Sequence, residues 1–104
     1  MGPGRVTLQM LQVLNVFLRH PSDDHYGLEV ARASGLSSGT TYPLLARLER
    51  AGWLTSAWED VDQAAEGRRR RRYYRLTAPG LAGARSELAK VPRPPPIGEA
   101  LTMT

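Results

Sequence analysis

The segment Ser34-Gly35-Leu36-Ser37-Ser38-Gly39-Thr40-Thr41-Tyr42-Pro43-Leu44-Leu45-Ala46-Arg47-Leu48-Glu49-Arg50-Ala51-Gly52 holds a tight turn followed by one helix, and the architecture follows from it. Gly35 stands where a left-handed residue ends a preceding helix, and Ser37 where a hydroxyl caps the next one. Leu44, Leu45 and Leu48 then recur at helical spacing and form a buried stripe, leaving Thr40, Arg47 and Arg50 for the outside. Gly52 closes this helix near Ala51. Pro43 lies inside it and removes the bond to the carbonyl of Gly39, so an irregular first turn, or a start later than Ser38, is expected.

Upstream, residues 6–20 carry Val6, Leu8, Met10, Leu11, Val13, Leu14, Val16, Phe17 and Leu18, a helix apolar on nearly every side. Such a helix needs two partners, and a second subunit is the natural source of one. The dimer interface is therefore expected to include Met10, Val13 and Phe17. Pro21, Ser22, Asp23 and Asp24 stop this helix, and a short second helix runs from Asp24 or His25 to Ala33. Downstream, two strands are expected at residues 53–58 and about 71–76, joined by a long polar tip. Thr77 caps a last helix with Pro79 in its first turn. Its Leu81, Ala84, Leu88 and Val91 fall at seam spacing, and Leu81, Ala84 and Leu88 join the expected dimer contacts.

The order helix, short helix, turn, helix, hairpin, helix is that of a winged helix-turn-helix, mainly α with a small β-hairpin. The domain covers residues 1–91, with dimerisation helices at both ends and a proline-rich tail at 92–104. At 104 residues there is one small domain, and 41% hydrophobic with 23% charged residues is ordinary for a folded protein. No cysteine is present, so disulfides and thiolate metal sites are excluded. The longest apolar segment is too short and too polar for a membrane span, and no leader pattern follows it, which points to the cytoplasm.

The charge is placed rather than spread. Residues 67–75 hold six arginines and no acid, among them Arg68, Arg69, Arg70, Arg71 and Arg72, whereas the whole chain carries only +4, which leaves −2 for the remainder. A cationic tip on a mildly acidic body suits double-stranded DNA. In a helix-turn-helix the helix after the turn offers its first residues to the major groove. Ser38, Thr40 and Thr41 are small and hydroxylated, fit to meet phosphates or base edges, and Arg47 lies two turns further on. Simple capping by the Ser and Thr hydroxyls is the plainer alternative.

The segment from Leu36 to Leu54 resembles the signature of the PadR-like transcriptional regulators. Trp58-Glu59, with Arg71-Arg72-Tyr73-Tyr74-Arg75-Leu76-Thr77-Ala78-Pro79-Gly80, is similar to that family's wing and the opening of its last helix, and His25-Tyr26-Gly27-Leu28-Glu29-Val30-Ala31 to its second helix. The resemblance implies a homodimeric DNA-binding repressor that occludes a promoter on a pseudo-palindromic operator. It carries DNA contact onto Ser38, Thr40, Tyr42, Arg47 and the wing arginines, and dimerisation onto the first and last helices. The wing departs from the family's usual turn: it is long and reads Gln63-Ala64-Ala65-Glu66-Gly67 before the arginines.

A winged-helix module binding an acidic protein partner is the competing reading, but it would not need a small polar helix start beside a basic wing. His20, Asp23, Asp24 and His25 form the one cluster with metal-ligand chemistry, and capping explains it better. No nucleophile–base pair or phosphate loop is found, so neither an enzyme nor a cofactor is expected. Nothing in the residues names a small-molecule inducer.

Overall fold

The computed structural model describes residues 2–60 and 62–92. The tail expected at 92–104 lies outside the described residues beyond Pro92. Helix α1 (Leu8–Arg19) begins at Thr7, whose hydroxyl accepts the Met10 N–H at 3.2 Å. Strand β1 (His25–Tyr26) leads into α2 (Gly27–Ser34), which ends on Gly35 at φ 77°. Helix α3 (Ser38–Arg50) follows the turn, then β2 (Leu54–Trp58), a single turn of helix α4 (Gln63–Glu66), β3 (Arg72–Leu76) and α5 (Ala78–Ala89). The antiparallel sheet has the order β1-β3-β2, with Ser56 opposite Tyr74 and Trp58 opposite Arg72.

Two elements escaped the sequence. β1 is two residues long, too short to show alternation, and becomes a strand only by pairing His25 with Tyr74 and Tyr26 with Tyr73. α4 sits in the polar tip, where the Asp62 carboxylate accepts the N–H groups of Ala64 and Ala65. The irregular start expected for α3 is also corrected, because the helix runs unbroken from Ser38. The Ser37 hydroxyl accepts the Thr40 N–H at 3.2 Å, and the Ser37 carbonyl accepts both the N–H and the hydroxyl of Thr41 at 2.9 Å. These bonds hold the first turn, while the Gly39 carbonyl released by Pro43 belongs to an exposed residue that water can serve.

The core corrects the expected dimer contacts. Met10, Val13, Phe17 and Ala84 are fully buried inside the single chain, so they have no surface to offer a second subunit. The reason is that α1 packs on α2, α3 and α5 together, and its several apolar sides find partners within the domain. Leu81 is half-buried against the same cluster, and Leu88 is half-buried near the end of α5. What α1 and α5 do leave open is a groove of about 480 Å³ lined by Leu8, Leu11, Gln12, Asn15, Leu88, Val91 and Pro92.

One joint fixes α3 against the sheet and α5. Trp53 is buried, and its carbonyl accepts the Thr77 N–H at 3.1 Å, while the Thr77 hydroxyl donates to the Gly52 carbonyl at 2.6 Å and accepts the Gly80 N–H at 3.0 Å. Gly80 is required by this approach: a Cβ there would stand 2.0 Å from the Trp53 carbonyl oxygen, a rigid backbone atom. Gly80→Ala is expected to destabilise the fold by about 1–3 kcal/mol, as overpacking of a closed core does, with a matching loss in urea-unfolding midpoint.

Candidate nucleic-acid interface

Helix α3 buries Thr41, Leu44, Leu45 and Leu48. At 100° per residue the opposite stripe is Gly39, Pro43, Ala46 and Arg50, small residues followed by an exposed cation. A helix with so low a profile can lie deep in a groove. Arg50 was left on the outside by the sequence but given no role, since only the buried face tells which residue points straight out.

The expected contact residues divide. Ser38 is exposed at the helix start, and Thr40 is half-buried, with its hydroxyl accepting a bond from the Ser37 hydroxyl at 3.2 Å. Thr41 is corrected: it is fully buried and its hydroxyl is used on the Ser37 carbonyl, so it supports the turn and cannot reach DNA. Tyr42 is 43% exposed, with its ring edge lying over Gly27 at the start of α2. Arg47 is half-buried and donates from Nη2 to the carbonyls of Pro3 at 2.8 Å and Arg5 at 2.9 Å.

The wing is organised by an acid. Glu59 follows β2 and is only 7% exposed, though it carries a charge. Its Oε1 accepts from the Arg68 guanidinium, from the Arg71 N–H at 2.9 Å and from Arg71 Nε at 3.4 Å, and its Oε2 accepts from the Tyr26 hydroxyl at 3.2 Å. The Arg68 bond foremost, then the Arg71 N–H, the Arg71 side chain and Tyr26, outweigh burial and hold the Glu59 carboxyl down to about 2. The same pairing raises the Arg68 guanidinium further above its already high range. Arg71 also lies over the Tyr26 ring, 4.0 Å from its centroid.

Arg72 is engaged elsewhere. It donates from Nε and Nη2 to the Ser56 hydroxyl at 3.0 and 2.7 Å and pairs with Glu49 of α3 at 3.3 Å, while Ser56 itself donates to Glu49 at 2.6 Å. Arg75 pairs with Asp24 at 2.7 Å. Exposed pairs of this kind add little stability, but they orient the side chains. Arg69 has no such partner among the described residues, and with Arg70, Gln63 and the 59% exposed Trp58 it lines an open cleft at the wing tip. The acids Glu59, Glu49 and Asp24 come from three other parts of the sequence, which is why a run of arginines alone could not show that most of its charge is paired.

The histidine cluster forms no metal site: among the described residues no three His, Cys, Asp or Glu side chains converge. His25 Nε2 lies 2.9 Å from the His20 carbonyl, and Asp24 serves Arg75. No helix among the described residues is long and apolar enough to cross a membrane.

The Glu59 pairing makes stability depend on acid. Its folded-state value lies below that of the unfolded chain, so the stabilisation is full above pH ~4.5 and is lost as pH falls through about 2. Urea-unfolding free energies measured across this window should fall for the wild type, and Glu59→Gln should flatten that part of the curve while lowering stability at neutral pH.

Comparison with known proteins agrees with this geometry. The family model described as the transcriptional regulator PadR-like family matches residues 13–86. Among solved structures, a PadR family transcription regulator from hypervirulent Clostridium difficile R20291 gives a TM-score of 0.65 at 24% identity, over 81% of this chain and 86% of that one. The smu.1704 protein of Streptococcus mutans UA159 gives 0.64 at 26% identity, over 82% and 78%. MepR, a transcription regulator of the Staphylococcus aureus multidrug efflux pump MepA, gives 0.63 at 23% identity over 81% of this chain but 56% of MepR, so the chain spans little more than half of that protein. MepR in complex with DNA gives 0.59 at 20% identity, over 82% and 68%. No curated protein sequence matches. Since the family model covers most of the sequence and the winged helix-turn-helix predicted from it is the fold observed, this chain belongs to the PadR-like family of transcriptional regulators.

Proposed function

We propose that this regulator binds duplex DNA as a homodimer in the cytoplasm and represses transcription by covering a promoter. The observation that carries the reading is the low outward stripe of α3, Gly39, Pro43, Ala46 and Arg50, flanked by exposed Ser38 and by the wing with Arg69 at its tip. The stripe enters the major groove, Ser38, Thr40 and Tyr42 meet its walls, and the wing follows the adjacent backbone. Arg68, Arg71 and Arg72 shape the wing and add to its field, whereas Arg69, also in the wing, makes no ion pair among the described residues.

The homodimer rests on the α1/α5 groove rather than on the buried seam. Leu8, at 71% exposure, and Val91 stand large and apolar on its rim, and Leu88 lies within it. Burying this surface against a second copy satisfies both copies at once and sets two recognition helices on a pseudo-palindrome, one DNA turn apart. Two weakly held half-sites then act together.

Selection of bound sequences from random duplexes, followed by a search for paired half-sites, tests the DNA reading directly; recovery of no common sequence overturns it. Arg69→Ala should lower the slope of log affinity against log salt by about one unit, equally on operator and random DNA, in an anisotropy titration. Leu88→Glu should shift wild-type dimers to monomers in sedimentation at micromolar concentration and weaken operator binding without removing any DNA contact. A monomeric wild type that binds a palindrome tightly would contradict the dimer.

A further inference from the structure

A second cationic surface with no acid paired to it lies away from the wing. Arg5, Arg47 and Arg50 lie at the far end of α3 and the chain's beginning, and none has a carboxylate within ion-pair distance among the described residues. Arg47 holds this surface together. Its Nη2 donates to the carbonyls of Pro3 and Arg5, 44 and 42 residues distant in sequence, and both are neutral acceptors that leave the guanidinium its full charge. Gly4, between those two carbonyls, takes φ 82° and so bends the chain around the guanidinium. Gly2, further out, rests against the Trp53 ring, within 3.4 Å of it at its Cβ position. The arm is thus laid down at two points, and Gly2, Pro3, Arg47, Arg50 and Ala51 line a shallow open depression of about 300 Å³.

The place of the arm around α3 gives it meaning. Arg50 belongs to the outward stripe, Arg47 lies roughly 60° to one side of it, and Glu49, which receives the wing's Arg72, lies roughly 100° to the other. Arm and wing therefore bracket the recognition helix from opposite flanks. A helix in the major groove has a phosphate strand on each side, and an arm beside it can follow the second strand. We propose that the N-terminal arm is a second phosphate-binding element, in which Arg5 and Arg50 meet the DNA backbone on the flank away from the wing and Arg47 is the positioning residue that holds the arm there. This rests on the DNA-binding reading given above and adds to it a contact surface the wing does not supply.

Salt titration of the full-length protein on a short labelled duplex of random sequence tests it. Arg5→Ala, on an exposed arm that the core does not need, should lower the log–log salt slope by about one unit and cost about five- to tenfold in affinity at 0.1 M salt. Arg47→Gln should lower the slope at least as much and speed tryptic cleavage after Arg5, while its thermal midpoint stays close to that of the wild type. In the Arg47→Gln background, Arg5→Ala should cost nothing further, because the arm is already released. An unchanged slope for Arg5→Ala overturns the arm assignment and leaves the DNA reading standing, and fully additive losses overturn the positioning role of Arg47. A wild type whose binding shows no salt dependence overturns the DNA reading itself.

Discussion

The contact of the Trp53 carbonyl with Gly80 sets the relation between every working part of this protein. A backbone oxygen and a helix approach more closely than any side chain would allow. Thr77 closes the joint by donating to Gly52, accepting from Gly80 and placing its own N–H on Trp53. The end of α3, the root of the hairpin and the start of α5 meet at this point. Since Trp53 also supports Gly2 and Gly83 with its ring, the angle between recognition helix and wing, and the lie of the arm, depend on one buried side chain and its own carbonyl.

Upon that frame the charges are arranged by burial as much as by number. A buried carboxylate is costly unless several donors converge on it, and Glu59 receives them from β1, from the wing tip and from the base of β3. The result is a wing whose shape is held by its own arginines. Arg72, the residue after Arg71, does the same for β3 and α3, tying them together through Ser56 and Glu49. Internal pairing lowers the field of these arginines, so among the described residues the unpaired cations placed to act on a polyanion include Arg69 at the tip, and Arg5, Arg47 and Arg50 beside the recognition helix.

Size imposes a further constraint. A domain of this length buries about two-thirds of its unfolded surface, and α1 uses nearly all of its apolar sides to complete the core. Of what remains apolar outside, Leu8, Leu11, Leu88 and Val91 gather in the groove between α1 and α5, which makes it the surface on which the proposed pairing of two chains depends.

The winged helix-turn-helix was legible in the sequence because its signals are local. Gly35, Ser37, Thr77 and Pro79 act on the residues beside them, and the leucine spacing of α3 names its own buried face, so the order of the four longer helices and two longer strands, and the caps at Gly35, Ser37 and Thr77, appear in the structure as read. The pairing of the arginines was not legible, because Glu59, Glu49 and Asp24 meet them only once the hairpin register and the packing of α3 on the sheet exist. The same holds for the two-residue β1, for the arm that closes on Arg47, and for Met10, Val13, Phe17 and Ala84, whose burial within one chain no periodicity could distinguish from burial between two. Periodicity states that a face is apolar. Only tertiary packing decides what covers it, because burial and charge pairing are properties of neighbours brought together from distant parts of the chain.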